Sequence, residues 1–367
     1  MSLAIVSLGT AVPDTAVTAA QAESVARALC GSSTRASWLP AIYAGAGITT
    51  RHMSFDRPVV EDVIRGSTHS GSVFLPTGEP DDHGPTTAQR MKHYATHAAP
   101  LAIRAARQAL DRTTVPPADI THLVTVSCTG FYAPGVDVAL IKALGLSSTT
   151  ERTHVGFMGC HAALNALRVA RAFTDSDPGA RVLVCAVELC SLHYHYGWDP
   201  QRVVANSLFA DGAAALIGVH ESAAPRDAWR LAASGSCLIP DSESAMTWSI
   251  GDHGFVMTLS KQIPALIGQS LRPWLTQWLS RQGLSLADVA SWAVHPGGPR
   301  VVTAVEEALA LDPAATAVSR EVLDQNGNMS SPTVLFVLEH LRNQNAPRPC
   351  VAVGFGPGLN AEVALFR

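Results

Sequence analysis

Cys160 sits in the run Val155-Gly-Phe-Met-Gly-Cys160-His-Ala-Ala. Gly156 and Gly159 permit a tight turn, and an alanine-rich helical pattern begins at or just after the cysteine. A thiol at a helix N-terminus faces unpaired backbone N–H groups and the positive end of the helix dipole, and both stabilise a thiolate. Cys160 is therefore a candidate nucleophile. Cys185 and Cys190 lie inside or at the end of an apolar strand pattern. A free cysteine in such a place is more often a packing residue.

His295 ends the strand-like run SWAVH and precedes Pro-Gly-Gly-Pro, so its imidazole is placed to project into a cleft. Asn326-Gly327 makes a turn and Ser-Ser-Pro suits the start of the next helix, which leaves Asn328 free to aim its amide elsewhere. A Cys, a His and an Asn at element ends form a coherent acyl-transfer set. The thiolate attacks a thioester, while His and Asn stabilise a developing oxyanion or enolate. His193 and His195 have the look of a metal pair, but no third ligand stands at zinc-site spacing. The run Gly354-Phe-Gly356-Pro-Gly358 precedes a strand rather than a helix, and so reads as a glycine wall rather than a phosphate loop. Asp211-Gly212 reads as a hairpin or loop corner.

The 367 residues that must position this set are 47% hydrophobic and only 15% charged, against about 25% charged in a typical globular chain. Such a chain buries a large core and is not disordered. A net charge of −4 without long basic runs speaks against nucleic acid and anionic membranes as partners. No apolar run reaches the roughly 20 residues of a membrane span. The N-terminus reads as strand and turn rather than signal peptide. Seven cysteines without a C-x-x-C pair fit reduced thiols, and a cytoplasmic protein is expected.

Strand-like and helical patterns alternate, which predicts an α/β layered fold. The expected elements include strands at 3–8, 122–128, 181–189 and 213–218, with helices over 87–110, 135–144 and 160–173. Residues 59–85 read as a surface loop. The rhythm restarts after about residue 225, with strands at 229–236, 291–295, 350–354 and 361–366 and helices at 263–280, 299–311 and 331–341. Two halves sharing one core are expected, although no sequence repeat joins them.

The blocks SCTGFYAPGVD (127–137), GFMGCHAALNALR (156–168), SLFADGAAA (207–215), AVHPGGP (293–299), NGNMSSPTVLFVL (326–338) and GFGPGL (354–359) resemble the type III polyketide synthases, the chalcone and stilbene synthase family, in its bacterial branch. The resemblance implies the thiolase fold, a layered αβαβα arrangement of two similar halves. Residues 1–225 would carry the nucleophile, and residues 226–367 the His and Asn. It implies an acyltransferase that works as a homodimer on acyl-CoA and malonyl-CoA, with no metal or other cofactor beyond these thioester substrates. Cys160 would carry the acyl chain. His295 and Asn328 would stabilise the enolate from malonyl decarboxylation, and Phe209 would gate the cavity. Extension and cyclisation would give a pyrone, resorcinol or phloroglucinol-type product.

By the same resemblance Cys128, Thr129, Glu188, Cys190, His193, Ala205, Trp248, Met257 and Ser330 would form the substrate cavity. Met257 would replace a second gatekeeper phenylalanine, and Trp248 would narrow the space. Glu188 with Ser330 resembles a hydrogen-bond network that favours aldol over lactone closure. The family's usual contacts for CoA phosphates have no clear counterpart in the N-terminal third, and Arg51 is put forward for that role. The alternative is a β-ketoacyl-ACP synthase III-like enzyme performing one condensation. The HPGGP and GNMSS blocks favour the polyketide synthase.

Overall fold

The computed structural model describes residues 3–31, 33–79 and 81–367. Its strands are β1 (Leu3–Ala11), β2 (Thr15–Thr18), β3 (Thr50–Met53), β4 (His122–Ser127), β5 (Glu151–Gly156), β6 (Arg181–Leu189) and β7 (Asp211–His220). They continue with β8 (Trp229–Leu238), β9 (Met246–Gly251), β10 (Gly254–Leu259), β11 (Ser291–Val294), β12 (Cys350–Gly356) and β13 (Asn360–Phe366). Nine of them form one sheet in the order β11-β12-β13-β8-β1-β7-β6-β4-β5. Read outward from the central antiparallel pair β1–β8, the first half runs β1-β7-β6-β4 and the second β8-β13-β12-β11. Both contain an antiparallel pair, β6–β7 and β12–β13, flanked by a parallel neighbour, β4 or β11. The halves therefore share one strand plan.

Strand periodicity builds the layers. Along β6, Leu183, Cys185 and Val187 face the alanine-rich helix Thr87–Asp111, while Val182, Val184 and Ala186 face the opposite way. That second face packs on the helices Ala162–Ser176 and Thr333–Asn343, which also contact Leu231, Ala352 and Ala364 of the other half. Beyond them, Val351, Val353 and Val363 pack on the helix Ile263–Ser280. The order helix, sheet, paired helices, sheet, helix is the expected αβαβα layering. Ala102, Ala105, Ala106 and Ala109 are fully buried. Gly9 lets β1 approach that helix, since a Cβ there would lie 2.5 Å from the Ala105 carbonyl oxygen.

Three local expectations need correction. Residues Arg57–Arg65 form a helix that runs into the start of the stretch read as loop, with Pro58 in its first turn and Gly66 ending it in the left-handed conformation. A helix at Ala317–Asn326 and the edge strand β5 went unread. Asp211 is no loop corner but the buried first residue of β7; its carboxylate accepts from the Ser54 and Ser191 amides and the Ser191 hydroxyl.

Candidate active site

Cys160 lies in a short 3-10 turn, Gly159–His161, between β5 and the helix Ala162–Ser176. The turn is tight for a reason outside itself. A Cβ at Gly159 (φ 76°) would fall 2.2 Å from Pro357 Cδ, so only glycine fits between the nucleophile turn and the β12–β13 corner. Phe157, rather than Gly156, takes the second left-handed conformation (φ 59°). Its ring packs against Phe131 and Phe255 at centroid distances of 5.6 and 5.9 Å, which holds that strained residue in place. Below the turn, the Gly159 amide donates to the Cys128 sulfur at 3.0 Å.

Ser330 lines the cavity with Cys160, and the side chains of Ser330 and Asn328 act on its thiol to favour the thiolate. Asn328 Nδ2 also donates to the Gly297 carbonyl (3.2 Å), and its Oδ1 accepts from the Ser330 amide (2.8 Å). His295 stands beside Gly297, whose amide donates to the His295 carbonyl (3.0 Å). The structure thus brings the three expected residues to one place, all of them buried. Burial pushes the Cys160 thiol up to about 11, opposed by Ser330 and Asn328. The thiolate-favouring shift expected from the helix terminus is outweighed by desolvation. Burial, reinforced by neighbouring His161, pushes His295 down to about 3. Among the described residues neither His295 ring nitrogen has a hydrogen-bond partner. These directions favour a neutral thiol and a neutral imidazole, whose one N–H and one ring lone pair have no partner among the described residues.

A cavity of about 250 Å³ opens beside Cys160. Phe209, Met257 and Ala205 line it, as do Cys128, Thr129 and Cys190. His193, Trp248 and Ser330 complete the expected wall. His193 Nδ1 accepts from the Phe255 amide (2.9 Å) and Nε2 pairs with the Thr129 carbonyl (2.8 Å), which fixes a neutral ring. Trp248 Nε1 donates to the Cys128 carbonyl (2.8 Å), so this bulky wall is pinned. Phe255, stacked on His193 at 4.2 Å, is a wall residue the sequence reading missed. Its position two residues before Met257 on β10 was the available signal.

Four expected site residues are not on the cavity lining: His295 and Asn328, which lie behind it near Gly297, and Glu188 and Arg51. Glu188 is wholly buried, and its carboxylate is saturated by Ser127, the Cys128 amide, Thr129 and Ser331. Its serine partner is Ser331 rather than Ser330, which has a left-handed backbone (φ 59°) and lines the cavity. Burial raises the Glu188 carboxyl against these donors. Arg51, expected at CoA phosphates, is 1% exposed. Its guanidinium donates to the carbonyls of Asn206, Ser207 and Phe209 and cannot reach a surface anion.

The family models for the chalcone and stilbene synthases match this chain over residues 77–221 (N-terminal domain) and 230–367 (C-terminal domain). The alpha-pyrone synthesis polyketide synthase-like Pks18 of Mycobacterium tuberculosis is 35% identical over 337 residues, covering 89% of this chain and 81% of that one. Bisdemethoxycurcumin synthase of Oryza sativa is 35% identical over 303 residues, 78% of this chain and 75% of the enzyme. The structure of PKS-I from the brown alga Ectocarpus siliculosus superposes with a TM-score of 0.89 at 31% identity, covering 100% of this chain and 98% of that one. With both domains matched in order, the chain belongs to the chalcone and stilbene synthase family and is a type III polyketide synthase.

Proposed function

We propose that this enzyme loads an acyl-CoA starter on Cys160, extends it with malonyl-CoA and releases an α-pyrone. His295 takes the thiol proton as sulfur attacks the starter thioester, and CoA leaves as its thiol. Malonyl-CoA then loses CO2, and the electron pair passes into an enolate that His295 and the Asn328 amide stabilise by hydrogen bonding. The enolate carbon attacks the Cys160 thioester, and the thiolate is the leaving group. Removing a donor from such a site typically costs about 100- to 1000-fold in rate. The carrying observation is that Cys160 and Ser330 open onto a cavity whose inner wall is fixed, with Asn328 bonded to the Ser330 amide beside them.

Lactone closure is the reading for the last step because no bond joins Glu188 to Ser330, and Glu188 does not reach the cavity. The name of the Mycobacterium relative points to the same product class. A homodimer fits Phe131 and Met158, which are 42% and 41% exposed around the nucleophile turn and would gain from cover. Incubation with malonyl-CoA and a panel of acyl-CoA starters, read by mass spectrometry, tests the reading. Pyrones from more than one condensation, with CO2 released, support it. Single condensations that need an acyl-carrier protein contradict it.

A further inference from the structure

The helix Pro200–Leu208 and its C-cap Phe209 present Arg202, Ala205, Asn206 and Phe209 to the cavity, the i, i+3, i+4, i+7 spacing of one helical face. Arg202 stands two turns from the gate, about 10 Å along the axis at 1.5 Å per residue. Small Ala205 leaves the space between them open. Among the described lining residues, Arg202 is the one side chain that is always cationic.

Among the described residues its guanidinium has a single side-chain partner, His195 Nδ1 at 3.3 Å, and no carboxylate. That contact has the arginine donating to a lone pair, so His195 is neutral and its orientation is fixed. A reciprocal pair holds it there: Asn206 Nδ2 donates to the His195 carbonyl and Oδ1 accepts from the His195 amide, both at 3.0 Å. Arg202 is half-buried on the lining, and its remaining N–H groups have no side-chain acceptor among the described residues. Asp252, the one carboxylate on the lining, lies on the exposed rim and forms no ion pair with Arg202. A cation held beside an apolar cavity, with a planar fork unsatisfied, suits a carboxylate.

Resting on the polyketide synthase reading, we propose that Arg202 selects starters bearing a carboxylate at the end remote from the thioester. The acyl chain would run from Cys160 past Phe209 and Ala205, with its far end on the Arg202 fork. A CoA phosphate offers similar chemistry, so the experiment has to separate the two sources.

Condensation with malonyl-CoA is measured for glutaryl-CoA and valeryl-CoA, starters of equal chain length, and for their 3′-dephospho-CoA counterparts. The wild type is expected to favour glutaryl-CoA in kcat/KM. In Arg202→Gln the glutaryl-to-valeryl ratio falls by about tenfold or more, and Arg202→Lys recovers part of it. An unchanged ratio, or a wild type that prefers valeryl-CoA, overturns the inference and leaves the polyketide synthase reading standing. Loss of both starters in parallel, matched by an equal loss when the wild type is given dephospho-CoA thioesters, assigns Arg202 to CoA and also overturns it. If no starter is extended more than once by the wild type, the underlying reading fails and this inference fails with it.

Discussion

The guanidinium of Arg51 donates to the main-chain carbonyl of Phe209 at 3.1 Å. From β3 it also caps the last carbonyls of the helix that precedes the gate, those of Asn206 (3.1 Å) and Ser207 (2.6 Å). Tyr194 adds a second donor to the same Phe209 oxygen at 2.6 Å. The segment around Phe209 is joined to Asn328, since the Ala210 amide donates to the Asn328 carbonyl and the Asn328 amide to that of Leu208, both at 2.9 Å. A buried arginine with no carboxylate partner among the described residues thus sets the position of both Phe209 and Asn328.

Arg51→Met strands these carbonyls, and each such bond to a charged donor is worth about 1.5–3 kcal/mol. The melting temperature is expected to fall. The kcat/KM ratio of bulky to small starters is expected to rise as Phe209 loosens, and Arg51→Lys recovers part of both. A purely structural role would lower turnover of every starter by one common factor.

Trp248 narrows the cavity and is held by its bond to the Cys128 carbonyl. Trp248→Ala is expected to shift products toward more malonyl extensions in mass-spectrometric analysis. The accompanying cost is about 0.5–3 kcal/mol of stability. An unchanged product length would place the limiting wall elsewhere.

Burial holds His193 and His295 down to about 3, and His93 and His195 to about 4. Unfolded histidine titrates near 6.5. Folded values below the unfolded one mean that their contribution is fully present above about pH 6.5. It is lost as pH falls toward the folded values, because the unfolded chain then binds more protons. The melting temperature should decline below pH 6.5. His193→Gln should remove about one proton, or about 1.4 kcal/mol per pH unit, from the slope of stability between pH 6 and 4. An unaltered slope would mean that His193 is charged in the fold.

Much of the chemistry was legible because it is written in local features. The glycine before Cys160, the strand end at His295 and the turn at Asn326-Gly327 each act within a few residues. What stayed hidden depends on three-dimensional neighbours. Arg51 looks like any surface arginine until β3 is tucked beneath the gate. Ser330 and Ser331 are adjacent in sequence, but the backbone is left-handed at Ser330, which lines the cavity with Cys160, while Ser331 bonds to Glu188. The β5 strand escaped notice because an edge strand with exposed and half-buried residues lacks an apolar pattern. The common strand plan of the two halves is a matter of pairing, and no residue pattern records it.

The central claim is that Cys160 carries the growing chain. Intact-protein and peptide mass spectrometry after brief exposure to an acyl-CoA starter tests it most directly. The account predicts one acyl adduct per chain, mapped to the peptide containing Cys160 and absent from Cys160→Ala, which also makes no polyketide. An adduct on the cavity cysteines Cys128 or Cys190 instead, or polyketide formation by the Cys160→Ala variant, would contradict it.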